Sequence, residues 1–177
     1  MHSHELLRRK SYRDRENLMN TTAVATEKAA IAANKAVITA FVDALNHGLD
    51  GGTDWVNYLS PQVIDHNKVI FGEEDAPGAA IEGFRQQLAA FSPTEDEQSG
   101  ILVQELIGED DRIVARLRVI GRHTGAHARM PEPTGRTCDV EQIWIFTLAD
   151  SRISEIRAVS DRLGMFLQLG WDWPTAD

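Results

Sequence analysis

Near the end of the chain, in ISEIRAVSDRLGMFLQLG (residues 153–170), lie the residue types best suited to acid/base chemistry. Strand alternation puts Ile153, Glu155, Arg157, Val159 and Asp161 in one phase and Ser154, Ile156, Ala158 and Ser160 in the other. Three ionisable side chains on one face need water or one another, because burying an unpaired charge is costly. A polar-floored cavity would meet that need, with Asp161 as a candidate acid/base. Glu155 and Arg157 would then be candidate substrate contacts, since a guanidinium fork holds anionic groups well. Asp161 also has a purely local reading, because it or Ser160 precedes an apolar helical segment that an acid can cap.

Two other groups could join such a site. VIDHN carries Asp65, His66 and Asn67 together, a cluster that serves either a pocket or the turn chemistry of a strand end. In IVARLRVIGRH, His123 shares its phase with Ala115, Leu117, Val119 and Gly121, opposite Arg116, Arg118 and Arg122. A histidine on an apolar face is either a core residue with its hydrogen bond satisfied or a catalyst. Trp144 and Phe146 can line a pocket or pack at a subunit interface.

Holding these groups in place needs a core, and 177 residues suffice for one domain, since such a chain buries roughly 70% of its unfolded surface. Acidic residues outnumber basic ones by 27 to 18, a net charge of −9. That balance argues against a nucleic-acid partner, whose phosphates call for a basic face. Cys138 is the single cysteine, which allows no intramolecular disulfide and suggests no zinc site, as fits a reducing cytoplasm. The N-terminal basic residues are followed by no apolar stretch, so a secretory signal is not expected. No run reaches the roughly 18 apolar residues that span a bilayer.

Residues 1–26 are polar without sustained periodicity and read as a flexible or loosely docked extension to a single domain at 27–177. Ile31, Ile38, Phe41, Val42 and Leu45 then mark one stripe of a long helix, with Thr26 to cap its start and Gly48 its end. A short helix is expected in TDWVNYL, closed by Ser60 and Pro61, then an extended VIDHN, and a third helix in GAAIEGFRQQLAAF. From there the period falls to two, in ILVQELI, RIVARLRVIGRH, TCDVEQIWIFTL and RISEIRAVS. Helices followed by a strand meander make an α+β domain, with a curved antiparallel sheet and N-terminal helices enclosing a cone-shaped cavity for a small apolar ligand.

His66 in DHN, the segment Gly121 to Gly125, the turn Pro133 to Arg136, Asp161, Leu163-Gly164 and Gln168 to Gly170 together resemble the SnoaL-like polyketide cyclases of the nuclear transport factor 2-like superfamily. The resemblance runs over about residues 30–170. It implies the curved sheet and deep pocket, chemistry without metal or cofactor, and a dimer or tetramer. It also makes Asp161 the acid/base and gives His66 and His123 places in the pocket, where they are further catalytic candidates; beside that resemblance, Asn67, Glu155, Arg157 and Trp144 stand as candidate substrate contacts. The chain departs from the family where a Trp is common two residues after Glu155, since Arg157 stands there. An Arg within about 4–6 Å lowers a carboxylate pKa by about 1–3 units, unless Arg157 pairs with Glu155 or Glu141 or holds an anionic substrate.

The expected function is cofactor-independent cyclisation or isomerisation of a polyketide-like hydrophobic or aromatic molecule. The same scaffold serves epoxide opening and dehydration, and also ligand-binding or interaction modules with vestigial cavities. A vestigial cavity would be filled by large side chains and lack converging polar groups.

Overall fold

The computed structural model describes residues 2–67, 76, 78–95, 98–127 and 130–172, with side chains from residue 19 onward. The stripe expected from Ile31 is the packed half of a longer helix, α1 (His2–Gly48), in which Ile38, Phe41 and Leu45 are fully buried. The backbone of the N-terminal segment is thus helical rather than irregular, and Thr26 is no cap: its Oγ1 donates to the Thr22 carbonyl within the helix at 2.9 Å. Leu, Arg, Lys, Glu and Met favour helix, and residues 2–26 contain no Gly or Pro, so the helix continues without an apolar stripe to dock it. Residues 19–30 are exposed throughout.

A 3-10 turn at Asp54–Tyr58 buries Trp55 and runs directly into β1 (Leu59–Asp65). Pro61 therefore sits inside an edge strand instead of closing a helix, a position where its missing N–H is tolerated. Next come α2 (Ala79–Ala90) and β2 (Phe91–Ser92). The long strands β3 (Gly100–Glu109), β4 (Arg112–His123), β5 (Thr137–Ala149) and β6 (Arg152–Ser160) follow, and α3 (Arg162–Gln168) closes the described chain. The sheet order is β1-β6-β5-β4-β2, with β3 also on β4. One pairing departs from the expected antiparallel sheet: β1 lies parallel to β6. Parallel neighbours need a long connection, and here everything from α2 to β5 supplies it.

The register lines up side chains in rows across the concave face. Ile113, Phe146 and Ile156 form one row, Ala115, Trp144 and Ala158 the next, and Leu117, Gln142 and Ser160 the third. Phe41 of α1 meets Phe84 of α2 and Phe146 edge-on at 5.7 and 6.0 Å, which holds both helices over the first row. The convex rows carry the ion pairs, Arg116 with Glu141 at 2.9 Å and Arg118 with Asp139 at 2.6 Å. Bulges sharpen the bend. Between Leu148↔Ile153 and Thr147↔Glu155 the residue Ser154 is extra, and this turns Ile153 inward to full burial.

The glycine-flanked GRHTG segment is a clasp at the sheet edge. Thr124 and Gly125 amides both donate to the Ala90 carbonyl at 3.0 Å, and a Cβ on Gly125 would collide with the Ala89 carbonyl. The exposed first half of α1 makes the domain boundary testable. A chain starting at residue 27 should melt within ~2–4 °C of the full chain in calorimetry. A larger loss would place the domain boundary nearer the N-terminus.

Candidate active site

Under α1 and α2 the concave face leaves a cavity of about 800 Å³ including its mouth. Leu45, Phe84, Leu88, Ile101, Val119, Ile156 and Met165 form its apolar wall, and Asp65, Asn67, Gln87, His127, Gln142, Ser160 and Arg162 bring polar atoms to it. A smaller, more apolar recess adjoins it past Leu88 and Val119, reaching Phe91 and Cys138. Large side chains leave this space open, and polar groups converge on it.

Pairing with β6 places Asp65 beside Ile156, the inward residue of the first row. Its Oδ1 accepts a hydrogen bond from the Asn67 amide at 2.8 Å, an Asx turn that fixes the carboxylate. Burial pushes the Asp65 pKa above the usual carboxylate value, while the Asn67 hydrogen bonds and the charge of Arg162 pull the other way. Arg162 is half-buried at the first position of α3; burial lowers its pKa and Asp65 counters that. A guanidinium keeps its charge under such shifts, so the cavity holds a cation facing a desolvated acid. Beyond them, Trp144 Nε1 donates to Gln142 Oε1 at 2.6 Å. Among the described residues, no three His, Cys, Asp or Glu side chains come close enough to share a metal ion.

Of the candidates named from sequence, Asn67 and Trp144 line the cavity. Asp161 does not: it is exposed, and its Oδ1 accepts the Gly164 amide at 2.8 Å as the N-cap of α3. Glu155, Arg157 and His66 come together outside the cavity lining, with Glu155 Oε2 3.0 Å from His66 Nε2 and 3.7 Å from Arg157 Nη2. Arg157 has thus taken the Glu155 pairing. His123 is fully buried away from the cavity lining, against Phe91, with its Nδ1 accepting the Thr134 amide at 3.2 Å. Burial lowers its pKa and keeps the ring neutral, so it braces the turn at Thr134.

The expected polar floor was the wrong phase of β6. Ile156, Ala158 and Ser160 face the cavity, and the charged row faces out, where water solvates it without a special environment. The sequence offered Asp65 only as part of the DHN cluster, and Gln87, His127, Gln142, Ser160 and Arg162 were not expected in the site. A signal existed for Gln142, a lone amide in the otherwise apolar alternation Cys138, Val140, Trp144, Phe146, Leu148. Arg162 had none, because its direction depends on the Asp161 cap.

The SnoaL-like polyketide cyclase family profile matches residues 35–169, the segment from mid-α1 through α3 that builds this cavity. The chain belongs to the SnoaL-like polyketide cyclases. Aklanonic acid methyl ester cyclase DnrD of Streptomyces peucetius is 31% identical to this cyclase over 147 residues, 80% of this chain and 93% of the relative. The corresponding DauD of Streptomyces sp. (strain C5) is also 31% identical, over 80% and 84%. Among solved structures, TsrD from Streptomyces laurentii superposes with a TM-score of 0.61 at 25% identity, covering 78% of this chain and 96% of that one. A SnoaL-like protein from Jannaschia Sp. CCS1 gives 0.63 at 21% identity over 80% and 94%, a likeness of fold.

Burial of Asp65 in the cyclase has a signed consequence. Its folded-state pKa lies above the unfolded value, so its favourable contribution is complete below the unfolded value of about 4 and is lost as pH rises through the folded value. Asp65→Asn should raise the thermal midpoint at pH 7, with the gain shrinking toward pH 4. A variant less stable than wild type at pH 7 would mean that Arg162 and Asn67 outweigh desolvation.

Proposed function

We propose that this cyclase closes a ring in a polyketide ester of the aklanonic acid methyl ester class by an intramolecular aldol reaction, with Asp65 as acid/base. One observation carries the reading: Asp65 is the carboxylate among the described residues that line the cavity, and it is held there desolvated and oriented. A raised pKa makes a carboxylate a better base, and brings its acid form closer to use near neutral pH.

Asp65 removes the proton from a carbon flanked by carbonyls, and the C–H electron pair becomes an enolate delocalised over the substrate. The enolate carbon attacks a second carbonyl carbon of the same molecule and forms the C–C bond. That carbonyl oxygen, now an alkoxide, takes the proton back from Asp65. No atom is gained or lost. Arg162 is placed to offset the negative charge on the enolate and alkoxide oxygens. The apolar wall holds the chain folded with its reacting carbons close, which contributes up to about 7–11 kcal/mol in the best intramolecular cases.

The resemblance assigned the acid/base role to Asp161. What supports Asp65 instead is that Asp161 is exposed and engaged with the Gly164 amide. Asp161 then acts through another residue, by starting α3 so that Arg162 turns inward. With aklanonic acid methyl ester as substrate, Asp65→Asn should lower turnover by about 10²–10⁴-fold with ligand binding retained. Asp161→Asn, which can still cap, should stay within about tenfold of wild type. The opposite ranking would return the acid/base role to Asp161.

The outer sheet face supports a homodimer. Ile143 and its register neighbour Val159 are 39% and 75% exposed, and Ile145 is 38% exposed beside them, ringed by the Arg116–Glu141 and Arg118–Asp139 pairs. Such a patch is self-complementary under a two-fold axis. Light scattering should find a dimer in wild type and a monomer in Val159→Asp. A monomeric wild type would refute the assembly.

A further inference from the structure

Gln142 is 7% exposed in a row of β5 whose other members are apolar. A primary amide brings one acceptor oxygen and two donor hydrogens, and all of them need partners when buried. The acceptor is taken by Trp144 Nε1 at 2.6 Å. An indole N–H can only donate, so the atom facing it must be the amide oxygen. That chemistry fixes the amide's orientation and leaves its NH₂ as the end available to the cavity Gln142 lines. Ser160, its register neighbour, adds a hydroxyl to the same corner.

We infer that Gln142 is a substrate-positioning residue whose amide NH₂ donates to a ring carbonyl of the bound ligand, with Trp144 holding the amide in that orientation. The inference rests on the cyclase reading for the class of ligand. A neutral donor suits a neutral acceptor, so the recognised group is a ketone or quinone oxygen rather than a carboxylate, which Arg162 would take. Gln142 pairs with Ser160 and Asp65 with Ile156, positions separated along β6 by about 13 Å at a strand's usual rise. The donor therefore grips a part of the ligand remote from the carbon that Asp65 deprotonates. It aligns the polycycle and takes no part in proton transfer.

A matched pair of probes tests this without turnover: anthraquinone-2-sulfonate and anthracene-2-sulfonate, which differ in the carbonyl oxygens. Wild type should bind the quinone about tenfold more tightly, the scale of one well-made buried hydrogen bond. The double variant Trp144→Phe/Gln142→Leu leaves no orphaned polar atom from the pair and should lose that preference. Trp144→Phe alone frees the amide to flip and should keep part of it. Gln142→Glu at pH 8 preserves an acceptor for the indole while replacing the donor end, which covers the case in which the double variant fails to fold; it too should lose the preference. With aklanonic acid methyl ester the double variant should raise KM more than it lowers kcat. No quinone preference in wild type, or the same preference in the folded variants, would overturn the inference. Failure of wild type to convert the ester would count against the cyclase reading alone, because the probe preference is measured independently of turnover.

Discussion

Side chains along a strand alternate between two faces, and the chemistry of this protein depends on which set of β6 turned inward. Ile156, Ala158 and Ser160 did, in register with Phe146, Trp144 and Gln142. Glu155 and Arg157 on the same strand, and Asp161 just past its end, were thereby left to the solvent side. Had Glu155 and Arg157 faced in, the cavity would have had to solvate both, a cost that apolar burial around them could not offset. The opposite choice is favoured because water solvates the outer row directly. Glu155 still finds His66 and Arg157 there, in pairs that contribute little to stability at such exposure.

The interior of the sheet is mostly apolar, and few polar groups enter it. Asp65 arrives from a neighbouring strand at the sheet edge, where an Asx turn leaves the chain room to turn away. Arg162 arrives from the opposite direction, at the start of a helix capped by Asp161. Asp65 follows the inward phase of β1, whereas Arg162 owes its direction to the start of α3, and the charge of each bears on the titration of the other. A desolvated carboxylate near a cation suits the proposed reaction, which passes through an anion.

Much of the fold was legible beforehand. Stripe spacing located the packed part of α1 from Ile31 to Leu45, α2 was found from Phe84 and Leu88, and period-two runs located β3 to β6 within a residue or two. The parallel seat of β1 and the helical run before residue 27 were not legible, because one depends on a crossover and the other on propensity without patterning. The site was half legible. Asn67 and Trp144 line the cavity, and the DHN cluster also brings the Asp65 carboxylate to it, whereas its neighbour His66 pairs with Glu155 outside the lining. His123 was correctly assigned to the apolar side of β4, but that side continues past the cavity into the clasp at Thr134.

The sequence by itself determined the class of fold, the family and the supply of chemistry, since periodicity and motif spacing are local properties that survive without coordinates. It even held both readings of Asp161, as cap and as acid. Tertiary structure alone showed that Asp161 is an exposed cap of α3. Alternation says that two faces exist but not which is enclosed, and that assignment comes from a bulge at Ser154, a parallel partner ninety-odd residues distant in the chain, and two helices pressed together through Phe41 and Phe84. Those are long-range contacts, formed where the whole sheet closes over the apolar rows, and they put Asp65, Arg162 and Gln142 on one side of it and Asp161 on the other.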